Sequence, residues 1–234
     1  MKFGVKIYHE KEISDHFCDL ADFLEVMAIK GGDYNFMECY SVPLVIHAQH
    51  TGFGVNLADR NLRKVNMRSL GFASELADKY QSQKIIVHPG KLENENCSEE
   101  ECLGNISEFD YRVLVENMSE GFMGDSPKSI DRIMRMTSKG FCFDINHAIS
   151  SAIAKKVDYI GFIKEFIDLG PEHYHIGGQI LNNGSSKTHL HLEESNIPLE
   201  EIMSMIPKKA EITLETKPSI PGIEKDLKFA RSFN

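Results

Sequence analysis

Eight short apolar runs, most of them separated by helical tracts, constrain this chain more than any other feature. Residues 3–8, 24–29, 44–46, 84–87, 113–115, 141–143, 173–176 and 212–214 read as buried strands. Helical spacing marks residues 13–23, 61–81, 99–106, 127–136, 149–169 and 199–205, and a polar helix carrying Leu227 and Phe229 closes the chain. Strands joined by helical crossovers run parallel, and eight is the number at which such a sheet closes on itself. The expectation is an α/β fold, one (β/α)8 barrel domain over residues 1–234. Its second crossover is degenerate, because residues 31–43 are irregular where a helix is due. Residues 182–187 read as a polar loop.

In such a barrel the active site lies at the carboxyl ends of the strands. Strands three to eight end, in order, at His47, His88, Glu116, Asp144, His175 and Glu215. Any one of these could be a hydrogen-bonded strand end, but six in succession converge on one mouth as a metal-ligand set. In the stretch from Gly140 to Ala148, Asp144 ends a buried strand and His147 follows three residues later. The two can face one cation or two adjacent ones. A carboxylate such as Glu116 can bridge a pair of cations. His50 lies close enough behind His47 to be the first ligand instead, and Glu25 is an unexpected acid inside the second strand.

The net charge of −9 argues against a simple basic nucleic-acid binder. It leaves open an enzyme that reaches phosphates through bound cations. Arg60, Arg63, Lys64 and Arg68 form the best basic cluster and read as a solvated helix face. Five cysteines without metal or redox spacing read as reduced thiols. With neither an apolar leader nor a membrane-length run, the expectation is a cytoplasmic protein without a membrane partner. His9, His16 and His173 read as structural or surface residues, and Lys217 as a solvated lysine beside Glu215.

Several motifs recur in a fixed order. They are Val87-His88-Pro89-Gly90, Ser98-Glu99-Glu100-Glu101-Cys102-Leu103, and Val115-Glu116-Asn117 with Gly121. Cys142-Phe143-Asp144 with His147-Ala148, Tyr174-His175-Ile176 and Thr213-Leu214-Glu215-Thr216 complete the series. In these the chain resembles the endonuclease IV family (AP endonuclease family 2), within the xylose isomerase-like TIM-barrel superfamily. The resemblance implies a zinc cluster that cleaves DNA on the 5′ side of abasic sites. His47 and His88 would bind a first zinc, and Glu116 would bridge it to a second completed by Asp144, His175 and Glu215. His147 would hold a third with an Asp-x-His pair after strand seven. There this chain reads Lys187-Thr188-His189-Leu190-His191. His189 in the family histidine's place leaves Lys187 for the aspartate, whereas His191 leaves His189.

Two functions follow as expectations. The first is divalent-metal-dependent phosphodiester hydrolysis at abasic sites in DNA, with two zinc ions, or three if His189 and His191 supply a third site. Manganese suits the same donors. The second is a sugar or sugar-phosphate isomerase or epimerase, in which Glu116 and Glu215 serve as the catalytic acid–base pair.

Overall fold

Strand β1 (Lys2–Ile7) pairs in parallel with β2 (Phe23–Ala28) on one side and with β10 (Glu211–Leu214) on the other, which closes the sheet. The ring continues from β2 through β3 (Leu44–Ala48), β4 (Ile85–Val87), β5 (Val113–Glu116), β6 (Gly140–Asp144) and β7 (His173–Ile176) to β10. This computed structural model describes residues 1–8, 11–182 and 185–234. Around the barrel lie α1 (Lys11–Phe17), α2 (Arg63–Lys79), α3 (Glu99–Glu108), α4 (Pro127–Thr137), α5 (Ile145–Lys155), α6 (Tyr159–Ile167), α7 (Leu199–Met205) and α8 (Ile220–Arg231). Only a 3-10 turn, Asn35–Cys39, occupies the crossover between β2 and β3, so the second helix is degenerate as expected. Among the described residues no helix is long and apolar enough to cross a membrane.

Because successive strand residues point to opposite faces, each strand sends every second side chain into the barrel. The outward residues of β1, Phe3, Val5 and Ile7, are buried in the layer shared with the helices. Inside, Phe23, Val45, Ile86, Leu114 and Cys142 form a separate apolar cluster. Gly4 completes this layer: a Cβ there would lie 2.1 Å from the Phe23 ring. Two residues further along each strand the interior becomes ionisable, with Lys6, Glu25, His47, His88, Glu116, Asp144, His175 and Glu215. The apolar layer is thus the floor on which the ionisable ring stands.

Four expectations are corrected. The helix read over residues 13–23 ends at Phe17, and β2 begins at Phe23, one residue early. The tract 149–169 is two helices, broken where Lys156 takes a left-handed φ of 57° and the Asp158 side chain caps α6. Of the polar loop read at 182–187, Asn182 and Ser185 to Lys187 belong instead to an antiparallel ribbon, β8 (Gly178–Asn182) with β9 (Ser185–Leu190). Polarity misled there because this ribbon stands largely outside the core. Asn183 and Gly184 of that reading, and His9, lie outside the described residues. His173 is wholly buried inside the barrel, which agrees with the structural side of its reading and not with a surface position.

Candidate metal centre

Glu116 is the hub of the ionisable ring. Its Oε2 lies 3.2 Å from His47 Nε2 and 3.0 Å from His88 Nε2. Its Oε1 lies 3.4 Å from both His147 Nδ1 and His175 Nδ1. His175 Nδ1 is also 3.0 Å from Glu215 Oε1, and Asp144 Oδ2 is 3.8 Å from His147 Nδ1. Three ligand sets therefore share Glu116: with His47 and His88, with Asp144 and His147, and with His175 and Glu215. Asp144 is at once a ring member and the N-cap of α5, accepting from the His147 backbone N–H at 2.6 Å. The Asn117 side chain clamps this corner, donating to the Asp144 carbonyl and accepting from its N–H.

The hydrogen bonds fix which ring nitrogens are left as ligands. His47 Nδ1 donates to the Ala48 carbonyl at 2.8 Å, so Nε2, facing Glu116, presents a lone pair. His175 Nε2 donates to Glu25 Oε2 at 2.9 Å, so Nδ1 presents its lone pair to Glu116 and Glu215. His147 Nδ1 donates to the Asn117 carbonyl, which leaves the lone pair on its Nε2. Lone pairs packed against carboxylate oxygens repel unless a cation or proton lies between them. Glu116 Oε1, His88 Nδ1 and His175 Nδ1 are buried without a hydrogen bond. This nitrogen–oxygen donor set suits a divalent transition metal.

The electrostatics agree. Burial opposes ionisation of Glu116, but His88 and His175 hold it well below the ordinary carboxylate value. Asp144 is pushed up, first by burial and then, against the pull of His147, by Glu116 and Glu215. Burial opposes charge on His175, yet its neighbours raise it well above ordinary imidazole. Among these Cys142 carries no charge near neutrality, its thiol being pushed up to about 12 by burial. Glu25, Glu215 and Glu116 therefore act on His175. Bound cations would replace the protons this crowded set otherwise needs.

Two ring members escaped the strand-end reading. Lys6 lies between Glu215, with which it is hydrogen-bonded, and Glu25 Oε1 at 3.4 Å. Glu25 also accepts from Thr213 Oγ1 at 2.6 Å, and Thr213 in turn contacts His173 Nε2 at 2.8 Å. The available signal was the register: Lys6 and Glu25 are paired neighbours across β1 and β2.

The mouth above the ring is a cavity of about 380 Å³ whose lining includes Lys6, Tyr8, His50, Phe122 and His189. His50 accepts from the Gly52 N–H and stacks on His88; burial, then His88 and His47, push it down to about 2. The His189 side chain is 54% exposed, its Nδ1 3.7 Å from Glu215 Oε2. His191 turns away, with Nδ1 2.7 Å from Asp226. Lys217 pairs with Glu194, and Arg63 with Glu101 and Glu108 on the outer surface. A larger groove of about 900 Å³, between α7 and α8, is floored by Leu192, Ile197, Leu199 and Phe229 and lies away from the ring.

The family model of the xylose isomerase-like TIM barrel matches residues 35–233. An uncharacterized protein of Methanocaldococcus jannaschii is 26% identical over 184 residues, which cover 71% of this chain. The chain spans only 61% of that relative's length. A D-tagatose 3-epimerase-like protein superposes with a TM-score of 0.78 at 22% identity, covering 100% of this chain and 97% of the other. Endonuclease IV from Thermus thermophilus superposes with a TM-score of 0.76 at 16% identity, covering 100% and 98%. At these identities both show the fold.

Proposed function

The chain belongs to the xylose isomerase-like TIM-barrel family, and from that premise we propose that it is a divalent-metal-dependent hydrolase of phosphodiester bonds, acting at abasic sites in DNA. The observation that carries the reading is the position of Glu116, shared by three ligand sets, with two histidines against one of its oxygens. A single-ion isomerase has no evident use for His47 and His88 together.

His47, His88 and Glu116 would hold one divalent ion, and Glu116 with Asp144, His175 and Glu215 a second. His147 and His189, which both line the mouth, would be the donors available to a third. Zinc or manganese, when bound, would supply Lewis acidity toward a phosphodiester and activate a water. The protein's part is to fix the donors. Glu25 holds His175 in the tautomer that presents Nδ1, and the Asn117 carbonyl does the same for His147 Nε2. Lys6 offsets one carboxylate charge at the base of the mouth. The free cysteines suit a reducing, cytoplasmic setting.

Zinc-loaded protein should cleave a duplex bearing one abasic site and leave the undamaged duplex intact. Two or more zinc ions bound without any cleavage would contradict the proposal.

A second reading, sugar isomerase or epimerase, is favoured by the mouth itself. A cavity of about 380 Å³ is on the scale of one small ligand. Its lysine is engaged by Glu25 and Glu215 rather than free for a phosphate backbone. In that case Glu116 and Glu215 would act as the acid–base pair, and one exchangeable ion would be found with no cleavage.

A further inference from the structure

We infer that His50 is a hydrogen-bond donor to a phosphate oxygen of the substrate and not a metal ligand; this rests on the hydrolase reading above. His50 follows β3 by two residues and caps the 3-10 turn Thr51–Phe53. Its Nδ1 accepts from the Gly52 backbone N–H at 3.2 Å. An imidazole nitrogen that accepts carries no proton, so the proton of the neutral ring sits on Nε2. A protonated nitrogen cannot coordinate a cation, but it can donate to an oxygen. Among the described residues the ligand sets leave His50 out.

The ring is held on three sides. It stacks on His88 at 4.5 Å between centroids and 19° between planes. Phe53 meets it edge-on at 5.0 Å, and His47 at 5.9 Å. It lines the same mouth as Glu116, His88 and His147. A group in that mouth is therefore placed beside the ligand rings with its orientation already fixed, so little entropy is lost when it binds. Gly52 permits the arrangement: a Cβ there would stand 3.0 Å from His50 Cε1. Alanine at Gly52 would therefore tilt the ring without removing the imidazole.

The test measures zinc content and the affinity for inorganic phosphate of the zinc-loaded full chain, in wild type, His50→Ala and Gly52→Ala. Expected are unchanged zinc content in both variants and phosphate binding about tenfold weaker in His50→Ala, as for one lost hydrogen bond. Gly52→Ala should fall between. In cleavage assays KM should rise in His50→Ala more than kcat falls. Loss of a zinc ion in His50→Ala, or unaltered phosphate affinity, would overturn the inference alone. Wild-type protein that loads zinc yet neither binds phosphate nor cleaves abasic DNA would overturn the hydrolase reading, and the donor role with it.

Discussion

Glu25 Oε2 and His175 Nε2 lie 2.9 Å apart inside the closed barrel, both fully buried, and this contact decides which nitrogen of the imidazole is left free. Carboxylates behind ligating histidines hold the tautomer and raise the ring's basicity. In Glu25→Gln the amide oxygen can still accept, but the charge is gone. Zinc affinity should fall about 10- to 100-fold with the fold retained, as read by chelator competition alongside circular dichroism. Unchanged affinity would show that Glu25 does not support His175.

Lys6 brings a lysine cation into the ring. Burial opposes its charge, but Glu215, Glu25 and Glu116 hold it above the usual lysine value. Lys6→Met would leave Glu25 and Glu215 buried without their counter-ion. Stability without metal should fall by about 3–5 kcal/mol, the range for removing one partner of a buried pair. Zinc should then raise Tm more in the variant than in the wild type. Equal zinc-induced shifts in thermal melts would contradict this account of Lys6.

The two histidines of the ribbon separate by their partners. His191 Nδ1 contacts Asp226, which also accepts from the Leu192 N–H. His191→Ala should leave zinc content unaltered and destabilise the fold by about 1–3 kcal/mol, through the acceptor it strands. Elemental analysis and urea unfolding read the two effects separately. A zinc ion lost in this variant would put His191 in the metal centre after all.

Acid sensitivity has a source remote from the mouth. Burial would raise the Glu211 carboxyl, but hydrogen bonds from Lys84 and Lys2 bring it down to about 2. The folded value lies below the unfolded one, near 4.5, so this contribution is complete above that pH and is lost as pH falls toward 2. Lys84→Met should cost about 1 kcal/mol near neutrality, and the difference from wild type should narrow toward pH 2. Urea unfolding across that range tests the sign.

Much of the barrel and most of the ring were legible because both rest on short-range rules. A strand of period two that ends in a ligand residue announces its own position in the mouth, as Glu116 and Asp144 do. Lys6 was hidden for the opposite reason, and Glu25 stood out only as an unexpected acid inside a strand. Neither residue ends its strand, and both join the ring through tertiary pairing: Lys6 faces Glu25 across β1 and β2 and meets Glu215 through the pairing of β1 with β10. The tautomers of His47, His147 and His175 were likewise invisible, since each depends on a carbonyl or carboxylate brought in by tertiary structure. The β8–β9 ribbon was read in part as a loop because its polar residues carry no alternation facing a core.

In the proposed hydrolase Glu116 would serve two metal sites at once. Zinc per chain in Glu116→Gln against wild type, by elemental analysis after equilibration and desalting, tests it most directly. An amide has no charge to share between two cations, so wild type should hold at least two zinc ions and the variant at most one, with the fold retained. Equal zinc content in the two proteins would contradict the claim and make Glu116 an acid–base group beside the metal rather than the bridge.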